Sequence, residues 1–151
     1  CNWIHLCDDP LVAWVPEGSE YEKSGYVPIE AFMNDVYIEP YAGEETDNAR
    51  YFKRHQITPN IRHTVNDTYA AFCLVEAGLG ITVMNHLTKG TWSGHVSELP
   101  VVPEENISIG IITAQDSISP VAKKFISYIK KNPIYILFLI GQHLIQNLTS
   151  I

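Results

Sequence analysis

Apolar and polar positions along this chain fall into short blocks whose period switches between strand-like and helix-like. "DDPLVAWVP", Asp8 to Pro16, is a five-residue apolar run bracketed by prolines, which suits a buried strand whose ends are marked by residues that cannot donate to a ladder. A polar, flexible stretch is expected from Glu17 to Gly25. "VPIEAFMN" reads as one helical turn with Pro28 at or near its start. "VYIEPY" reads as a second strand stopped by Pro40. "AGEETDNARYFKRHQ" runs from acids to bases, the order that complements a helix dipole, with Thr46 or Asp47 as its cap. "NIRHTV" is a short third strand, and "NDTYAAFCLVEAG" a helix capped by Asn66 or Asp67, with Ala71, Leu74, Val75 and Gly78 on one face.

In "LVEAGLGITVMN" the helix must end and a strand begin within three residues. Gly78 can take the left-handed conformation that closes a helix, and Gly80 lets the entering strand come close to its neighbours. Beyond it, "HVSELPVV" is expected as an edge strand and "ISIGIITA", Ile107 to Ala114, as a strong one. "SISPVAKKFISYIKK" is the best-formed helix: Ser119 caps it, Pro120 is in its first turn, Ala122, Phe125, Ile126 and Ile129 form its apolar face, and Lys130 and Lys131 end it. Strands separated by helices through short connections predict an α/β fold with a mixed, largely parallel sheet flanked by helices. The tail 132–151 carries no charge, but its continuous apolar core, Ile134 to Ile140, is too short for a membrane span. It is expected to cover an apolar surface of this chain or of a second copy.

Composition narrows the function. With 46% apolar and 18% charged residues in 151, the chain can bury a core and is not of the disordered class. A net charge of −7 is the wrong sign for a phosphate-binding surface, so these residues are not expected to touch DNA themselves. The odd cysteines Cys1, Cys7 and Cys73 imply neither a disulfide framework nor a zinc pair, which fits a cytoplasmic location. No secretion signal opens the chain, and "CNWIHL" reads as a cut inside a longer protein.

Catalytic patterns are not apparent. The acid pairs Asp8/Asp9 and Glu44/Glu45 are sequence neighbours that rarely face one substrate, and the six histidines show no metal-ligand spacing. Gly78-Leu79-Gly80 ends a helix instead of opening one, so it cannot cradle a phosphate in the usual way. Cys73 reads as a packed thiol, and Cys7 beside two aspartates as an unreactive one. No catalytic residue, metal or cofactor is expected. A binding rim is: in open α/β sheets ligands sit outside the carboxyl ends of the strands, where helix N-termini offer N–H groups. Three such ends are Glu39 to Ala42, Val65 to Thr68 and Met84 to His86.

The ordered set "DDPLVAWVP", "VYIEP", "TPNIRHTVNDTYAAFCLVEAGLGITVMN", "ISIGIIT" and "SISPVAKKFISYIKK" resembles the effector-binding domain of LysR-type transcriptional regulators over residues 3 to 131. "LVEAGLGI" and "SPVAKKFI" are the most specific pieces. The resemblance implies a periplasmic-binding-protein type 2-like fold, with a small-molecule effector held between two lobes. It makes residues 1–105 the second lobe, 106–131 a strand and helix returning to the first, and 132–151 an added tail. It places Glu39, Pro40, Tyr41, Asn66, Asp67, Thr68, Met84 and Asn85 at the effector site, with Asn66 and Thr68 hydrogen bonding and Tyr41 and Met84 making apolar contacts. The family commonly has proline where this chain has Asn85. A homodimer, and DNA contacts only through a helix-turn-helix domain absent from this chain, are further implications. A solute-binding domain of the same fold is the alternative.

Overall fold

The computed structural model describes residues 1–90, 92–114 and 119–131, so the expected tail 132–151 lies outside the described residues. The chain forms two compact units, Pro10–Asn106, and Cys1–Asp9 with Ile107–Ile151. The first strand, β1 (Asn2–Pro16), belongs to both. This corrects the expected start at Asp8: the strand runs through Pro10, and the missing donor falls where the chain passes from one unit to the other.

In the larger unit α1 (Glu20–Ser24), β2 (Val27–Pro28), α2 (Ala31–Asn34), β3 (Tyr37–Pro40), α3 (Asp47–Arg54), β4 (Ile61–Val65), α4 (Thr68–Glu76), β5 (Thr82–Asn85), α5 (His86–Lys89) and β6 (Val96–Val102) follow in order. The Glu17 to Gly25 stretch is therefore not all irregular. Acids in the first turn of α1, Lys23 in its last turn and Gly25 in the left-handed region suffice for a short helix. Pro28 belongs to β2, not to a helix start, since Ile29 donates its N–H to Val102 O and holds the segment against β6.

Strand order is β2-β6-β1-β5, and β3 pairs with β4. Only β1 runs against its neighbours: β5 and β6 are antiparallel to it, while β2 is parallel to β6 and β4 to β3. A parallel bridge from Tyr37 to Ile81, with Ile38 N–H donated to Ile81 O, joins β3 to the entrance of β5. The sheet is thus mixed and largely parallel, as expected. β6 is not an edge. It lies between β1, which takes Val96 to Pro100, and β2, which takes Val101 and Val102. Pro100 is tolerated because the two neighbours use different stretches of the strand.

Successive strand residues face opposite sides, and both sides are covered. Val12 and Trp14 of β1, Ile38 of β3 and Met84 of β5 join Ala71, Phe72 and Val75 of α4 in one core. Tyr37, next to Ile38, enters another, edge-on to Phe32 of α2 and Phe52 of α3 at 5.9 and 5.2 Å. The continuous apolar run in β1 follows from this two-sided burial.

Tyr21 of α1 donates its hydroxyl to Asp35 after α2. Partial burial first, and that bond second, push its pKa up to about 12 from 10. A raised pKa means the protonated tyrosine is the stabilising form. Its contribution is complete below pH 10 and lost as pH climbs through about 12. Tyr21→Phe is expected to cost about 1 kcal/mol at neutral pH. Denaturant midpoints compared between pH 9 and 12 should show a decline in the parent protein that the variant lacks.

In the smaller unit β7 (Asn106–Thr113) pairs with β1, and α6 (Pro120–Lys131) follows. Ser119 caps α6 as expected, accepting from Ala122 N at 3.1 Å. Its apolar face differs from expectation. Ile129 is buried, and Ala122 and Ile126 are half-buried, but Phe125 is 57% exposed. No helix among the described residues is long and apolar enough to cross a membrane.

Candidate functional site

Because β3, β4 and β5 run parallel, their carboxyl ends open on one rim of the larger unit. At the end of β3, Pro40 is buried and Glu39 half-buried, opposite Val65 and Thr64 of β4. The next residue, Tyr41, has φ +54°, a conformation an aromatic residue adopts only at a cost of order 1–3 kcal/mol. Two backbone bonds hold it there: Tyr41 N–H donates to Val65 O at 2.7 Å, and Tyr41 O accepts from Glu44 N at 3.1 Å. Its hydroxyl lies 3.2 Å from that of Thr68, the first residue of α4.

The β4 end leads directly into α4. Asp67 caps the helix by accepting from Ala70 N at 2.7 Å, so its carboxylate is committed to the chain. Asn66, exposed beside it, is the polar side chain free of that duty. Thr68 and the first-turn N–H groups then present donors toward the rim. Met84 and Asn85 sit differently. Met84 is 7% exposed and its side chain belongs to the core beneath. Asn85, opposite Leu11 of β1, occupies the N-cap position of α5 without a side-chain cap bond.

The structure therefore brings Tyr41, Asn66, Asp67 and Thr68 together as a rim surface, with Glu39 and Pro40 leading to it and Met84 under it. Sequence reasoning missed the polar floor. Thr82, fully buried, donates to Ile38 O at 2.8 Å, and Asn48, 7% exposed, donates to Tyr37 Oη at 3.1 Å and to Val83 O at 3.4 Å. These bonds tie β3, β5 and α3 into a fixed support. An asparagine on the inward face of α3, one turn before Tyr51 and Phe52, was the available signal.

Elsewhere the chemistry is structural. His5 and Ser108 both bond the Asp8 carboxylate, at 2.9 and 2.8 Å, and these bonds hold its pKa below the usual carboxylate value, which leaves it a weak base toward the hydroxyl. Burial first, and then Asp9 and Asp8, push the Cys7 thiol up, which makes it a poor nucleophile. Among the described residues no group of three or more His, Cys, Asp or Glu could hold a metal.

The chain matches the family model of the LysR substrate binding domain over residues 1–133. A search of the curated proteins finds no match. Among solved structures it is similar to the CcmR regulatory domain of Synechocystis in complex with 2-PG, with TM-score 0.70, 19% identity, and 86% of this chain and 65% of that one covered. It is also similar to the effector binding domain of QuiR in complex with shikimate, with TM-score 0.69, 22% identity, and 87% and 66% covered. HinK, a LysR family transcriptional regulator from Pseudomonas aeruginosa, matches with TM-score 0.68, 18% identity, and 86% and 47% covered. The chain thus spans less than two thirds of the length of each of these relatives. The likenesses establish the fold as that of LysR effector-binding domains.

Proposed function

We propose, from the premise that this chain belongs to the LysR substrate binding domain family, that it senses a small-molecule effector at the β3–β4–β5 rim and carries out no catalysis. The observation that carries the reading is Tyr41. A strained backbone conformation is retained at a strand end, and its hydroxyl is laid against Thr68 at the start of α4. Strain of this kind persists where surrounding structure enforces it, and it concentrates at ligand sites. Two related domains are in complex with 2-PG and shikimate, which supports an oxygen-rich organic molecule as the ligand class.

In this reading Asn66, Thr68 and the α4 N–H groups hydrogen-bond the effector and Tyr41 packs on it. Glu39, Pro40, Asp67, Met84 and Asn85 shape and support the site. Residues 10–105 act as the second lobe, with β7 and α6 as the returning elements of the first. The regulator works as a homodimer in the cytoplasm, and DNA is read by a helix-turn-helix region that these residues do not include.

Thermal unfolding against a panel of organic acids, amino acids and aromatic metabolites tests this. A ligand at about 100 times its Kd stabilises the folded state by about 2.7 kcal/mol. The expected result is a hit whose shift disappears in Asn66→Ala and shrinks in Tyr41→Ala. A ligand that stabilises both variants as well as the parent contradicts the proposed site.

A further inference from the structure

The chain passes between its two units twice, at Asp9–Pro10 inside β1 and at Asn106–Ile107 at the start of β7. Pro10 has no N–H, so Leu11 is the first residue of the larger unit along β1 with a backbone donor. It donates to Glu105 O at 2.8 Å. That bond joins the two passages on the side of the larger unit.

What holds Glu105 in place comes from α3. The last turn of this helix and its C-cap residue, His55, reach the 103–105 segment through three side chains. Tyr51, fully buried, donates its hydroxyl to Pro103 O at 2.9 Å. Burial first, and then the Glu105 and Glu30 carboxylates, push its pKa up, so it remains a donor across the ordinary pH range. Arg54 donates to Oε1 of Glu105, and the His55 imidazole lies 3.7 Å from Oε2. The His55 ring is itself set edge-on against Tyr51 at 5.0 Å. The Glu105 side chain is 10% exposed, and a carboxylate that has given up most of its hydration depends on its charged partners. At the other end of α3, Asn48 bonds Tyr37 Oη and Val83 O beneath the rim. One eight-residue helix thus holds the strands under the rim at one end and both passages at the other.

We propose that Tyr51, Arg54, His55 and Glu105 form a charge-held clasp by which α3 fixes both passages, and that releasing Glu105 loosens Leu11 and the 103–105 segment without unfolding the larger unit. Glu105 is the positioning residue, acting on β1 through its own backbone carbonyl. Hinge motions are absorbed by a few residues at such passages, so the clasp sets how stiff they are. It lies wholly within residues 10–106 and its test needs no effector, so it stands or falls apart from the sensing role proposed for the rim.

Amide hydrogen exchange of the full 151-residue chain, followed residue by residue by NMR, tests the clasp, because exchange from the folded state reports local opening. Glu105→Gln keeps the shape of the side chain and removes its charge. The Leu11 amide is expected to exchange about tenfold faster in this variant, a modest figure for a charged bond because Arg54 is largely exposed. The rise should exceed any change at Ile38 and Ile81, whose N–H groups bond Ile81 O and Val36 O between β3 and β5 and report unfolding of the unit as a whole. In the R54Q/H55Q background, where the partners are already gone, the same Glu105→Gln change should add less than about threefold. Unchanged Leu11 exchange in Glu105→Gln overturns the proposal. So does a rise only in step with Ile38 and Ile81, or a full rise in the background that lacks Arg54 and His55.

Discussion

Trp14→Ala is expected to lower the stability of the 10–106 unit by about 3–5 kcal/mol, the usual range for removing a buried tryptophan. Trp14 is fully buried at the centre of β1 and meets Phe72 and Trp92 edge-on at 5.7 and 6.1 Å. It joins β1 to α4 and to the segment before β6, so the cavity left behind would border three elements. For a unit of this size each 1 kcal/mol moves Tm by roughly 4–8 °C, so a fall of at least about 12 °C in calorimetry is expected. Trp14→Phe is the control. The indole N–H is buried with no acceptor among the described residues, and removing an unsatisfied donor recovers part of what the smaller ring loses. If the two variants fall equally, the packing role assigned to this ring is wrong.

Gly80→Ala is expected to cost about 2–3 kcal/mol, more than Gly78→Ala at about 1 kcal/mol. Both glycines lie in the helix-to-strand switch, for different reasons. Gly78, at φ +72° in open space, completes the end of α4: its N–H donates to Val75 O, and that of Leu79 to Leu74 O. That is a conformational role, and alanine would only be strained there. At Gly80 an added Cβ would stand 2.6 Å from Val36 O and 3.1 Å from the Val36 and Ile38 side chains. Val36 O is also the acceptor for Ile81 N–H, and Ile38 N–H donates to Ile81 O. The methyl group therefore pushes β5 from β3 at their amino ends, opposite the rim, so Gly80→Ala should lose stability while keeping the stabilisation that an effector adds. Urea denaturation of both variants, with and without ligand, checks the order of the costs and the retained ligand effect. Equal costs would show that close approach at Gly80 is not the constraint.

The legible parts of the fold were those set by local chemistry. Thr46, Asp67 and Ser119 cap their helices where a short polar side chain precedes a helical run, and Gly78 closes α4 because few other residues take that conformation. What the sequence hid depends on partners far along the chain. Pro10 interrupts nothing, since a proline shows that a donor is missing but not whether the strand needs one there. From sequence β6 reads as an edge because its two neighbours, β1 and β2, lie about 75 to 90 residues before it. Phe125 fits the helical period of α6 yet faces outward, because the period marks a face and not what covers it. At the site, the three strand ends were legible. The strain at Tyr41 and its link to Thr68 were not, since one is unexpected for tyrosine and the other joins residues 27 positions apart.

The central claim is that the rim built by Tyr41, Asn66 and Thr68 is where the effector binds. Backbone amide NMR shifts followed through a titration with a panel hit test it most directly. Perturbations concentrated at residues 39–44, 66–70 and 85–86 are predicted, with Tyr41 and Thr68 moving together. Saturable perturbations confined to other parts of the chain, with these amides unmoved, would contradict it.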